Sequence, residues 1–368
     1  MVRRLLVLNG LAIIGLILFH SAGWGFTAML AWGDRYTQAT GIAFQAMGSP
    51  SYHALRVVEQ LVVVAIPAFL FVSGYFIAVA AGRTQPLRWS VATARVKSLL
   101  IPYFIWSVLL LVLRGLQGQF FGPFEYLKIL ATGSANPAYY YVILLAQFYL
   151  IAPLLVPWAR RRPALLLTVA TVVQLAVQIM QYPVFLGIHW PAIEPFVDVV
   201  PKWFFPARIF WFSFGIVAGF HLDALKSWAV RGKWIWLAVT VSSFFIGIFE
   251  WEIYVRMSGL RWLNHRETLI DDVYCLAFLL CFVAFDRMVI PFSKELAYLG
   301  TKSFGIYLVH SPALELGARA MYHLAPWLLA QQLVLQPFLI LVGFAVPLTL
   351  IFLVERSPVR RYYSYVLG

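Results

Sequence analysis

The chain has 368 residues, 62% of them hydrophobic and only 12% charged, with a mean hydropathy of +0.82. A soluble domain is nearer half apolar and a quarter charged, so this composition excludes a string of water-soluble domains and makes lipid the solvent. The net charge of +13 would suit a nucleic-acid partner in a soluble chain, but in a membrane protein basic residues first report orientation.

Ten apolar segments follow one another, at about residues 5–30, 61–80, 99–112, 139–158, 164–180, 204–220, 234–248, 269–285, 299–316 and 327–354. Ten spans of roughly 20 residues use about 200 positions, which fits this length. All are read as helices, because lipid tolerates only backbone that is hydrogen-bonded internally. The evenly spaced alternating strands of an outer-membrane barrel are absent. The expected fold is all-α and integral to the membrane: a polytopic bundle of about ten helices, one domain over residues 1–368, with no separate soluble domain.

The basic residues alternate between connections. Arg3 and Arg4 precede the first segment; Arg83, Arg88, Arg95 and Lys97 follow the second; Arg160, Arg161 and Arg162 follow the fourth. Lys226, Arg231 and Lys233 follow the sixth, Arg287, Lys294 and Lys302 the eighth, and Arg356, Arg360 and Arg361 end the chain. With only Asp223, Asp286, Glu295 and Glu355 beside them, that side carries +14 and the other −1. The alternation places both termini in the cytoplasm and accounts for the net charge without a nucleic acid. The first segment could serve as a signal peptide after Arg3 and Arg4, but it outruns the usual apolar core of one, and a retained helix is expected. The long outer connections, 31–60, 114–138, 181–203 and 249–268, are rich in aromatics, Gly and Pro and are expected to fold over the membrane mouth.

Polar side chains at membrane depth are costly and mark candidate sites. His20 lies past the middle of the first segment, where a buried imidazole is a candidate general base or a core histidine bonded to a neighbouring helix. Ser73 and Tyr75 sit in Phe71-Val-Ser73-Gly74-Tyr75, where Gly74 admits either a ligand or a second helix. Glu59 and Gln60 stand at the outer entrance of that segment, one turn beyond Arg56. Arg95 and Lys97 open the third segment before Pro102, Tyr103 and Trp106; they suit either the phosphates of a nucleotide cofactor or a snorkelling anchor. Arg208 enters the sixth segment after Pro206. Tyr307 and His310 share a face of the ninth at i, i+3. A metal held by His20 and His310 lacks a third ligand at helical spacing, so no metal is expected. Cys275 and Cys281 are read as small apolar residues. Glu250, Glu252, Asn264, His265, Asp271 and Asp272 make an acidic, aromatic outer mouth that suits a hydroxylated acceptor, or an ordinary solvated loop. Neither a phosphate-binding glycine loop nor a serine nucleophile elbow is present.

Taken in order, these segments resemble the membrane acyltransferase-3 family. His20 lies late in a first helix of that type. Phe71 to Tyr75 resembles its F-x-S-G-[FY] segment, and Arg95 to Trp106 its basic-Pro-Tyr-x-x-Trp entry. Tyr139-Tyr140-Tyr141 through Gln147 to Pro153 resembles its aromatic helix ending in Pro-Leu-Leu. Ser303 to His310 resembles S-x-x-I-Y-L-x-H. Val354-Glu355-Arg356-Ser357-Pro358 resembles the closing V-E-[KR]-P run, with a Ser inserted. The family usually places Arg eleven positions before its histidine; this chain has Asn9 there, which donates hydrogen bonds but brings no charge.

The resemblance implies an acyl-CoA donor, acetyl-CoA first, bound from the cytoplasm by Arg95 and Lys97, with Ser73 and Asn9 as further donor-side candidates. It implies a hydroxyl acceptor on a cell-envelope glycan or lipid-linked molecule at the outer side of a bacterial inner membrane. His20 is then the catalytic residue, Tyr75, Tyr307 or Ser73 an oxyanion donor, and His310 or Glu59 its orienting partner. Glu59, Arg208 and Trp106 are the acceptor-side candidates. The rival readings are a proton-coupled glycan or lipid transporter or flippase, and a family member that has lost activity.

Overall fold

Each of the ten apolar segments is helical in the computed structural model, which describes residues 2–82, 84–188, 191, 201–263 and 268–368. No strand occurs among the described residues. In chain order the helices are α1 (Val2–Phe26, continued by a π-helical turn Thr27–Ala31), α2 (Gly33–Thr40), α3 (Pro50–Val62), α4 (Ala65–Ala81) and α5 (Trp89–Leu116). Then come α6 (Pro123–Thr132), α7 (Tyr140–Arg161), α8 (Pro163–Phe185), α9 (Ile209–Phe220) and α10 (Leu222–Arg231). The series ends with α11 (Lys233–Ser258), α12 (Leu269–Ala284), α13 (Ser293–Thr301), α14 (Ser303–Leu324), α15 (Gln332–Arg356) and the single turn α16 (Tyr363–Val366).

Seven of the described helical stretches are long and apolar enough to cross a membrane, and the pair Phe205–Phe220 and Leu222–Arg231, bent by 104°, makes an eighth candidate. The protein is an integral, multi-pass membrane protein. Two expected spans fall short of that standard for identifiable reasons. Helix α12 has only 16 residues. Helix α14 has 22, but His310, Pro312, Glu315 and Arg319 make it too polar.

Local chemistry sets several boundaries. Ser49 caps α3 by accepting the Tyr52 N–H at 3.2 Å, with Pro50 at the first turn. Pro67 has no N–H for the Val63 carbonyl four residues back, and the chain breaks between α3 and α4 there. The segment expected at 299–316 is two helices, parted at Lys302. The long connections hold structure of their own. Helix α2 and most of α3 lie in 31–60, and α6 lies in 114–138. Helix α11 runs on to Ser258, beyond the expected end at 248. Part of 181–203, and Arg83, Asn264 and His265, lie outside the described residues.

The chain divides into two units. The first contains Met1–Ile66, Pro183–Ile188 and Gly232–Phe352. Its axis is α1, which is buried on several sides and apolar all round. Gly10 lets the α13 backbone in: a Cβ there would collide with the Leu296 carbonyl, and one on Gly300 would meet the Leu6 carbonyl in return. Arg4 donates to the carbonyls of Phe282, Phe285, Asp286 and Met288, where α12 ends and its last carbonyls have no helical partner.

The second unit contains Pro67–Tyr182, His189–Arg231 and Leu353–Gly368. Its α4 and α9 cross on small residues. A Cβ on Gly74 would strike the Phe212 carbonyl, one on Gly215 the Phe71 carbonyl, and one on Gly219 the Ala78 side chain. This is a small-xxx-small crossing on both helices. Phe148 of α7 stacks on Phe212 at 4.8 Å. Arg160 donates to the carbonyls of Gly82 and Gln85 at 2.8 and 3.0 Å.

Candidate functional site

In the first unit α1 carries His20 half-buried, with Phe19 edge-on beside it. Helix α14 brings His310, which is fully buried. The two imidazole centroids are 5.2 Å apart and inclined at 50°. The Tyr307 ring lies 5.6 Å from His310, as the i, i+3 spacing required. His310 Nδ1 is 2.7 Å from the Tyr307 carbonyl oxygen. Its Nε2 is buried and has no hydrogen-bond partner among the described residues. Tyr307 is itself buried.

Around the imidazoles the helices are held by polar side chains. Ser21, next to His20, donates to Gln336 Oε1 at 2.7 Å, and Gln336 returns a bond to the Ser21 carbonyl at 3.2 Å. Gln336 also donates to Gln332 Oε1 at 2.9 Å, and Gln332 to the Leu329 carbonyl. This ladder fixes α1 against α15 at the residue after His20. Glu59 of α3 is buried and accepts the Trp262 indole N–H at 3.3 Å. Trp262 stacks on Phe26 and lies 3.9 Å from where a Cβ on Gly23 would sit. Gly23 is three residues after His20, so Trp262 covers the same side of α1.

Three of the acidic residues expected at a membrane mouth, Glu250, Glu252 and Asp271, are engaged by other side chains. Buried Arg56 pairs with Glu252, donates to the Ile248 carbonyl at 2.9 Å and lies 3.7 Å over Trp251. Gln60 donates to buried Asp271 at 2.8 Å. Asp271 also completes a capping box with Thr268, whose hydroxyl donates to Glu250 at 2.6 Å. These acids join α3, α11 and α12.

Asn9 is eleven residues before His20, three turns along nearly the same stripe of α1. Its Oδ1 is buried and has no hydrogen-bond partner among the described residues. No group of three metal-ligating side chains occurs among the described residues. Cys275 and Cys281 are free thiols, Cys275 buried and Cys281 3.6 Å from the Thr240 hydroxyl.

The remaining candidates lie in the second unit. Arg95 is half-buried, with its guanidinium 5.6 Å from the Tyr149 ring, and it lines an open groove with Ser90, Val91, Ala94 and Ser98. Lys97 is exposed. Two residues apart on one helix, the two cations point to different sides, so they do not form the paired clamp that their adjacency suggested. Helix α5 runs through Pro102 without interruption. Ser73 hydrogen-bonds Tyr141, and Tyr75 is buried beside the α4–α9 crossing. The Trp106 indole donates to the Val366 carbonyl at 2.9 Å, which holds the chain's last turn on α5. Buried Arg208 donates to the Lys202 carbonyl at 2.8 Å and lies 5.2 Å over Tyr140.

Compared with known families, the chain matches the acyltransferase-3 model, described as an acyltransferase domain, over residues 4–355. The chain belongs to this acyltransferase family. Membership supports a membrane acyltransferase, and the match takes in His20, His310, Arg95 and the closing Glu355. No curated protein and no solved structure matches the chain. Within this acyltransferase, sequence reading missed Gln332, Gln336 and Trp262. The two glutamines carried a usable signal, since amides four residues apart in an apolar helix share one face and need partners. Trp262 carried none, because a tryptophan in an aromatic outer loop is unexceptional.

Proposed function

We propose that this acyltransferase moves an acyl group, acetyl first, from acyl-CoA on the cytoplasmic side to a hydroxyl at the outer side. The acceptor is a cell-envelope glycan or a lipid-linked relative of one, and the membrane is a bacterial inner membrane. The single domain crosses about ten times with both termini in the cytoplasm. The alternating basic connections support that count, as do the three helical elements beyond the seven clear spans.

The observation that carries the reading is the meeting of His20 and His310 inside a family of acyltransferases. His20 takes the proton of the acceptor hydroxyl; the oxygen attacks the thioester carbonyl, and CoA leaves. Tyr307, whose ring lies 5.6 Å from that of His310, is the oxyanion donor in the first unit. Glu59, buried behind Trp262, is an acceptor-side residue. On the donor side Arg95, facing an open groove, contacts the CoA phosphates; Lys97, Ser73 and Asn9 contribute less. The test is purified protein in proteoliposomes with labelled acetyl-CoA and a hydroxyl acceptor. Release of free CoA with labelled acceptor is expected. Movement of a solute without CoA release would contradict the proposal and favour a transporter.

A further inference from the structure

The His310 tautomer is fixed by its surroundings. A carbonyl oxygen only accepts, so His310 Nδ1 at 2.7 Å from the Tyr307 carbonyl carries the proton. Nε2 is therefore a lone pair that can accept and cannot donate. It is buried in a side chain with no exposed surface, and no group among the described residues donates to it. A buried acceptor without a donor is costly and uncommon in folded proteins. The ring beside it is His20, 5.2 Å away between centroids.

These facts constrain what enters. One hydroxyl proton serves one lone pair. In the reaction proposed above, the reacting hydroxyl gives its proton to His20 and has none left for His310. We infer that His310 Nε2 accepts a hydrogen bond from a second hydroxyl of the same acceptor, so the acceptor is a vicinal diol of the kind a sugar ring presents. The inference rests on the O-acyl-transfer reading and narrows its acceptor class. The balance of the reaction is unchanged by His310. The reacting O–H proton passes to His20, the oxygen forms the ester bond to the acyl carbon, the carbon–sulfur bond breaks, and the thiolate of CoA takes the proton from His20. His310 takes up no proton; it sets which hydroxyl reaches His20. An acceptor with a single hydroxyl leaves the Nε2 lone pair unpaired in the complex and is disfavoured for that reason.

Two measurements test this. The first needs no turnover. Full-length protein labelled with 15N-histidine in lipid bilayers is titrated with a panel of methyl pyranosides, and separately with cyclohexanol. The His310 Nε2 resonance is identified by its loss in His310→Asn. A shift of that resonance toward hydrogen-bonded values with a pyranoside, and none with cyclohexanol, is expected. No shift with any pyranoside would overturn the inference.

The second is kinetic and compares each pyranoside with its monodeoxy derivative lacking the neighbouring hydroxyl. In the wild type kcat/KM falls on the order of 100-fold for the deoxy compound. In His310→Asn, which keeps a donor for the Tyr307 carbonyl but lacks the Nε2 acceptor, parent and deoxy compound react alike. His310→Gln, whose amide oxygen reaches the Nε2 position, recovers part of the discrimination. Independent, additive losses would overturn the inference. An Nε2 shift without CoA release from any hydroxyl acceptor would strike the acyl-transfer reading alone. Turnover of a pyranoside without the shift would strike this inference alone.

Discussion

The two units of this acyltransferase solve the problem of packing helices in lipid by different means. In the first, polar side chains meet inside the bundle: Ser21 with Gln336 and Gln332, Arg56 with Glu252, Gln60 with Asp271, and His310 beside His20. In the second, the α4–α9 crossing is made by Gly74, Ala78, Gly215 and Gly219, and two of its polar candidates are engaged with backbone. Trp106 holds the Val366 carbonyl and Arg208 the Lys202 carbonyl. A network of buried polar groups is worth its desolvation cost where it fixes reactive groups in place. Small residues achieve close packing without that cost. The unit with the polar network is also the unit that holds both imidazoles and the Nε2 lone pair that no group among the described residues satisfies.

That contrast can be broken experimentally. The largest stability effect is expected at the Arg56–Glu252 pair. Glu252→Gln removes one charge of a pair whose guanidinium is 3% exposed, and breaking a buried ion pair costs about 3 kcal/mol. Heating detergent-solubilised protein should show a clear drop in the unfolding midpoint; an unchanged midpoint would mean that the pair is ornamental. Gly74→Val comes next. Its side chain would strike the Phe212 carbonyl, and overpacking of this kind costs about 1–3 kcal/mol. Its loss of monodisperse protein should exceed that of Gly122→Val, a glycine in open space away from this crossing. Gln336→Leu removes one rung of the α1–α15 ladder for about 1 kcal/mol. Its mark should be a fall in acyl transfer larger than its fall in stability, because the rung adjoins His20. The smallest effect separates the two cations. Arg95→Ala should raise the KM for acyl-CoA about tenfold, a lost charge-assisted contact. Lys97→Ala, exposed on another side of α5, should stay within about twofold. Equal effects would restore the paired clamp.

How much of this was legible in the sequence differs by feature. The helices were, because a 20-residue apolar run in lipid has one backbone solution. Helix α14 was legible as a segment, yet its polar residues, the mark of a site, are what keep it from reading as a simple span. The i, i+3 relation of Tyr307 and His310 was legible because it is local. The approach of His310 to His20 was not, since 290 residues separate them and no pattern sets which helices touch. Gly74 was ambiguous between ligand and helix; only the Phe212 carbonyl decides for the helix. Arg56 pairs with Glu252 on α11, 196 residues away, which no local pattern on α3 announces. Arg95 and Lys97 invited a paired reading from their adjacency, which helical geometry undoes.

The central claim is that His20 is the base of an acyl-transfer reaction, and one variant addresses it directly. His20→Ala, shown to insert and remain monodisperse like the wild type, is reconstituted with labelled acetyl-CoA and a hydroxyl acceptor. The account predicts that transfer falls by at least about 100-fold, the usual contribution of a positioned general base, while acyl-CoA binding persists. Transfer at the wild-type rate would contradict it.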